Sequence, residues 1–114
     1  MPKLYYASPR DLPTITPYSG AKGRVLQTDN ATVVVFDLEP KMIIETHKHE
    51  VEQFGVVVKG SMAMIVAGEQ RILTAGDTFR VPPGAAHGVR VFEEPTQVID
   101  VYTPARSDLT LTSP

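Results

Sequence analysis

The chain alternates short apolar runs with turn-forming residues. Runs rich in β-branched side chains occupy 31–40, 54–60 and 96–104, and Gly, Pro or Asp-Asn sequences interrupt them. Strands of four to eight residues with turn signals every eight to twelve are typical of small β-barrels and sandwiches. No segment shows a sustained helical period. The pattern therefore predicts an all-β fold.

Further apolar runs complete the predicted barrel. The predicted strands lie at 24–28, 31–40, 42–47, 54–60, 61–70, within 71–81, at 87–94 and at 96–104. The segments 54–60 and 61–70 are expected to pair across Lys59-Gly60-Ser61. Four prolines in residues 1–20 exclude a long helix there. We expect one domain over 1–114, with an N-terminal arm (1–20), a core barrel (about 24–104) and a C-terminal tail (105–114).

Composition narrows the function classes. A length of 114 residues, 42% apolar content and a net charge of −2 describe a single globular domain without the basic surplus of a nucleic-acid-binding protein. No apolar run reaches the length of a membrane span, and the first residues lack a signal-peptide core, so we expect a cytoplasmic protein. The absence of cysteine excludes disulfides and thiolate chemistry.

The three histidines of the chain fall into two short stretches. His47, His49 and Gln53 precede an apolar run that ends at Gly60, and His87 follows Pro82-Pro83-Gly84. Residues two apart on a strand share a face, so His47 and His49 can point into one cavity. Imidazole nitrogens and an amide oxygen are ordinary ligands of divalent metals, and this set leaves coordination positions open for a substrate.

The alternative is that these are three unrelated surface or hydrogen-bonded histidines. The two-apart pair, the distant third histidine and the Gly and Pro residues around them favour a metal site. Nickel, zinc, iron and manganese all accept histidine, so the residues do not name the ion.

These stretches resemble the two motifs of the cupin superfamily. His47-x-His49, three residues, Gln53, six residues and Gly60 match G-x5-H-x-H-x3,4-E-x6-G. Gly76, five residues, Pro82-Pro83-Gly84, two residues and His87 match G-x5-P-x-G-x2-H-x3-N. The resemblance implies a jelly-roll β-barrel that is often a homodimer. Lys41, Gln53 and Val91 depart from the Gly, Glu and Asn of the motifs.

Gln53 changes the charge of the predicted metal set. A neutral amide in place of glutamate leaves the metal with more of its positive charge, which makes it a stronger Lewis acid and a better partner for an anionic substrate. The change also weakens the case for iron oxygenase chemistry, in which carboxylate ligands are usual.

The last predicted strand carries a second group of polar residues. Asp100 and Tyr102 share a face in an otherwise apolar strand, and Arg106 follows. A carboxylate there is costly unless it is exposed, paired or functional. One alternative is an exposed Asp100 that forms an ion pair with Arg106, and the other is that Arg106 binds a substrate carboxylate.

The sequence Asp100-Val-Tyr102-Thr-Pro-Ala-Arg106 resembles D-x-F-x-P-x-R in the KdgF-like branch of cupins, which also has Gln in its metal set. These pectin-degradation proteins convert 4,5-unsaturated uronates into linear ketouronates. The resemblance implies that Asp100 is the acid/base, that Tyr102 takes the aromatic position and that Arg106 contacts the sugar acid. Tyr in place of Phe adds a hydroxyl.

Two other functions fit a cupin of this size. A dioxygenase acting on a small organic substrate predicts bound iron or copper and oxygen uptake. A non-enzymatic binding or sensing module predicts a partner domain.

Overall fold

The chain folds almost entirely into β-strands. The computed structural model describes residues 5–106, and within that range the chain forms ten strands and one short 3-10 helix, Pro9–Asp11. The strands are β1 (Thr14–Tyr18), β2 (Ala21–Gln27), β3 (Thr32–Leu38), β4 (Ile43–His47), β5 (Glu52–Lys59), β6 (Ser61–Val66), β7 (Glu69–Thr74), β8 (Thr78–Val81), β9 (His87–Val91) and β10 (Thr96–Thr103). The all-β prediction is confirmed.

The strands form two antiparallel sheets. The large sheet has the order β1-β2-β3-β10-β5-β8, and the small sheet has the order β4-β9-β6-β7. Apolar side chains from both sheets meet in one core, including Val34, Val57, Met62 and Val91. The period of two is clearest in β10, in which Thr96, Val98, Asp100 and Tyr102 are buried and the residues between them are partly exposed. Asp100 and Tyr102 therefore face the interior.

The predicted hairpin between 54–60 and 61–70 is wrong. β5 lies in the large sheet and β6 lies in the small sheet, so the chain crosses between sheets at Gly60. Gly60 has a φ of 85°, and a Cβ on it would lie 2.7 Å from Cα of Thr96. The close approach of Thr96 thus requires a glycine at the crossing. β6 instead pairs with β7 around Ala67 and Gly68, which both have positive φ.

The barrel starts earlier in the chain than the sequence pattern predicts. Residues assigned to the arm form β1, which pairs with β2 and is an edge strand of the large sheet. Residues 1–4 of the expected arm and 107–114 of the expected tail lie outside the described residues. Among residues 5–106 no helix is long and apolar enough to cross a membrane. The earlier start matters because Tyr18, the last residue of β1, reaches the site described next.

Candidate metal centre and its cavity

The three histidines come together at one end of the barrel. His47 ends β4, His87 begins β9, and the two strands pair at these residues, whereas His49 follows in the loop to β5. One ring nitrogen from each lies within 4.8 Å of those of the other two. The loop after β8 fixes this geometry, because the N–H of Gly84 donates to the carbonyl oxygen of His49 at 2.8 Å. The Pro-Pro-Gly corner thus connects the two motifs.

Backbone carbonyls fix which ring nitrogen of each histidine carries a proton. Each Nδ1 lies within hydrogen-bond distance of a backbone carbonyl oxygen two residues away. The distances are 2.9 Å from His47 to Glu45, 3.1 Å from His49 to Val51 and 2.9 Å from His87 to Ala85. A nitrogen that donates to a carbonyl must carry hydrogen, so each Nε2 presents a lone pair. Nε2 of His87 is buried and has no hydrogen-bond partner within residues 5–106. Such an atom is what a metal would satisfy.

Protonation of the cluster is disfavoured by its surroundings. Burial lowers the pKa of His49 and of His87, and the neighbouring histidines lower it further. Metal ligation requires the neutral imidazole, so burial holds both rings in the form that binds a cation.

Gln53 completes the set from the large sheet. Its side chain is buried, and its Oε1 lies 3.1 Å from Nε2 of His49. With Nδ1 of His49 bonded to a carbonyl, this places two lone pairs opposite each other, an arrangement that a shared cation stabilises. His47, His49, Gln53 and His87 therefore fit a divalent metal.

Asp100 lies in the cavity beside this cluster. It is 8% exposed, and its neighbours on the same cavity wall include His47, Gln53 and His87. The Tyr102 hydroxyl donates to Oδ2 at 3.4 Å, and Oδ1 is buried without a hydrogen-bond partner in the described part of the chain. Burial raises the pKa of Asp100 to about 7, against smaller opposing effects of Gln53 and Tyr102. One alternative from the sequence placed Asp100 in an exposed ion pair with Arg106. That exposed position is wrong, because Asp100 is buried.

Arg106 lies at the opening of the site. Its guanidinium carbon is 5.1 Å from the centre of the Tyr102 ring, which makes a cation–π contact. It borders a surface groove together with Lys48, His49 and Tyr18. The structure thus brings Arg106 to the same site as Asp100 and Tyr102, with Tyr102 buried and Arg106 at the mouth.

The deeper cavity wall is mostly apolar. Its lining side chains include Phe36, Leu38, Met62, Met64 and Phe79. The polar groups gather at the histidine end, so a ligand would have its reacting oxygens there and its carbon skeleton against the apolar wall.

Sequence reasoning missed one polar residue of the site. The Tyr18 hydroxyl lies 3.4 Å from Nε2 of His47, and the two ring centres are 5.9 Å apart. Burial raises the pKa of Tyr18, and Arg106 opposes that shift. No local pattern marks Tyr18, because its position depends on the pairing of β1 with β2, which the sequence analysis did not predict.

Two facing antiparallel sheets with a His-His-His-Gln cluster at one end define a small β-barrel protein with a candidate metal centre. The chain belongs to the cupin family, because the Cupin domain family model matches residues 34–102. The single-domain cupin jelly-roll fold expected from the motifs is thereby confirmed.

Three individual cupins are similar to this chain over most of its length. The chain is 32% identical to the pectin degradation protein KdgF of Dickeya dadantii over 91 residues, which cover 78% of this chain and 83% of the relative. The structure of KdgF from Halomonas sp. superposes with a TM-score of 0.84 at 26% identity, covering 93% of this chain and 98% of that one. An RmlC-like cupin from Shewanella frigidimarina gives a TM-score of 0.85 at 27% identity, covering 93% and 96%.

Proposed function

We propose that this cupin is a metal-dependent enzyme that converts 4,5-unsaturated uronates into linear ketouronates. The relative in Dickeya dadantii is named for pectin degradation, and its alignment covers most of both chains. Gln53, Asp100 and Arg106 agree with the KdgF-like pattern, and Tyr102 stands where that pattern has Phe.

The observation that carries the proposal is the position of Asp100. A buried carboxyl with an unsatisfied oxygen shares a cavity with a set of residues that fits a metal. Burying such a group costs free energy, so its presence in this cavity supports a role in the reaction. The pKa of about 7 lets Asp100 both accept and return a proton near neutral pH.

His47, His49, Gln53 and His87 would hold the divalent metal. When bound, the metal supplies Lewis acidity for oxygens that gain negative charge during the reaction. The neutral Gln53 keeps that Lewis acidity higher than a glutamate would.

The reaction moves one proton within the substrate. The Asp100 carboxylate takes the proton of the hemiacetal hydroxyl on C1, the C1–O bond of the ring breaks, and C1 becomes an aldehyde. The electron pair of the broken bond leaves an enolate at C5. Asp100 then returns the proton to C4, and C5 becomes a ketone. Atoms and charge balance without an oxidant or water.

Charge at the mouth suits an acidic sugar. Arg106 and Lys48 border the groove that leads to the histidines, against a single acidic residue there among residues 5–106, Glu45. Two cations at an entrance attract a uronate carboxylate, and a guanidinium fits that group with paired hydrogen bonds.

The test follows the enol-ether absorbance of a 4,5-unsaturated galacturonate. We expect metal-loaded protein to remove the band faster than the spontaneous rate and chelator-stripped protein to leave it at that rate. Asp100→Asn should bind the metal with unchanged affinity and lose at least about 100-fold in kcat. Full turnover by Asp100→Asn would contradict its role.

Oxygen uptake is measured in parallel, because consumption of oxygen with a small organic substrate would favour the dioxygenase alternative.

A further inference from the structure

The hydroxyl of Tyr18 occupies the boundary between the cavity and the outer groove. Tyr18 lines the cavity together with Gln53 and Asp100, and it also borders the groove together with Lys48 and Arg106. Tyr18 therefore borders both of the spaces in which a ligand could reach the histidines.

The hydrogen bond that Tyr18 makes is one that a bound metal would displace. Nδ1 of His47 donates to the carbonyl oxygen of Glu45, so the Tyr18 hydroxyl donates to the lone pair on Nε2 at 3.4 Å. A cation on His47 uses the same lone pair. The Tyr18 proton is then available to another acceptor, and the oxygens of a ligand beside the cluster are the acceptors that the site is built to receive.

We propose that Tyr18 is a substrate-contacting residue whose hydroxyl donates a hydrogen bond to an oxygen of the sugar acid beside His47. This inference rests on the proposed function for the class of ligand, an anionic sugar acid. The partner of Tyr18 thus changes from the ring nitrogen of His47 in the metal-free protein to the substrate in the loaded enzyme.

The contact comes from an element that the active-site motifs do not include. Tyr18 lies on β1, outside the residues 34–102 that the family model matches. The Tyr18↔Ala21 pairing of β1 with β2 holds it at the mouth. Different residues at this position would change which sugar acids the site accepts without altering the metal ligands.

The variant that tests the inference is Tyr18→Phe, which keeps the ring against His47 and removes the hydroxyl. Tyr6→Phe is the matched control, since Tyr6 is 91% exposed. Three readouts are compared in nickel-loaded protein: nickel affinity by competition with a chelator, galacturonate affinity by calorimetry, and kcat/KM with the unsaturated uronate. Galacturonate is saturated and does not react, so its binding is measured independently of turnover.

We expect Tyr18→Phe to bind nickel at least as tightly as the wild type, because the competing hydrogen bond to His47 is gone, to bind galacturonate about 5- to 20-fold more weakly and to lose about 10- to 100-fold in kcat/KM. Galacturonate affinity within twofold of the wild type would overturn the inference, as would undetectable binding to the wild type or a parallel loss of nickel affinity. If wild type turns over no uronate but Tyr18→Phe still weakens galacturonate binding, the proposed function fails and the contact stands.

Discussion

At the scale of single residues, one departure from the family motif has a structural explanation. Lys41 stands where the first motif has glycine, and its φ is 66°, in the left-handed region that favours glycine. The motif glycine is therefore explained by backbone conformation, and this chain accepts strain at that position. The exposed ion pair of Lys41 with Glu93 at 3.5 Å returns little of that cost.

Lys41→Gly should stabilise the protein. Relief of the left-handed strain exceeds the added entropy of the unfolded chain, so the free energy of unfolding should rise by about 0.5–1 kcal/mol. Urea unfolding of the wild type and the variant measures this free energy. Lys59→Gly is the control, because Lys59 is exposed at the end of β5 and glycine there should destabilise. Equal losses in the two variants would contradict the explanation.

Asp100 should make the stability of the metal-free protein depend on pH. Its carboxyl has a pKa of about 7 when folded, against 3.8 for the free group. Between these values the unfolded chain releases the proton and the folded chain keeps it, so stability falls as pH rises. From pH 5 to 8, wild type should lose about 2–3 kcal/mol relative to Asp100→Asn. Urea unfolding with chelator at both pH values measures the difference, and parallel pH profiles would contradict it.

At the scale of residues, the sequence predicted which side chains come together in the structure. The motif spacing predicted His47, His49, Gln53 and His87 together, and strand parity predicted that Asp100 and Tyr102 share a face. It did not decide whether that face is buried, because parity leaves open which side of a strand meets the core. The site roles of Asp100, Tyr102 and Arg106 stay predictions until turnover is measured.

At the scale of elements, the strand segments were more predictable than their partners. β-branched runs and turn residues mark where strands lie, whereas the crossing of the chain at Gly60 depends on its contact with Thr96, which is distant in sequence. The sequence did not predict β1 for the same reason, because the place of this strand in the sheet depends on its pairing with β2.

Gly55 is the element-scale feature that makes room for the cavity wall. It lies on β5, opposite Asp100 on β10. A Cβ on it would lie 2.7 Å from Cζ of Phe79 and against the carbonyl oxygen of Ile99. Gly55→Ala should therefore lower the free energy of unfolding by about 3 kcal/mol. Gly68→Ala, in open space at a φ of 85°, should cost about 1 kcal/mol. Chemical denaturation compares them, and a smaller loss at Gly55 would contradict the argument.

At the scale of the molecule, metal binding should stabilise the whole barrel. A ligand that binds only the folded state at about 100 times its Kd adds about 2.7 kcal/mol, or roughly 10 °C in Tm for a domain of this size. Thermal unfolding with and without nickel measures it. His87→Ala should lose most of the shift, since it removes a ligand. An equal shift in that variant would place the ion elsewhere.

The homodimer expected from the family stays a prediction, and the large sheet offers a surface for it. Leu26, Val33, Val101 and Phe54 are cross-strand neighbours that form a row of partly exposed apolar side chains on its outer face. Such rows are typical of protein contacts. Sedimentation should show a dimer that Val101→Lys dissociates and that Val58→Lys, outside the row, leaves intact. A monomeric wild type would contradict it.

The ligand set also joins the two sheets. His47 and His87 belong to the small sheet, and Gln53 belongs to the large one. A cation bound by all of them would link the two sheets at this end of the barrel, and the metal-free protein lacks that link. Local opening of a barrel exposes backbone to proteases, so the lifetime of the protein in a cell, as well as its catalysis, would follow the supply of metal.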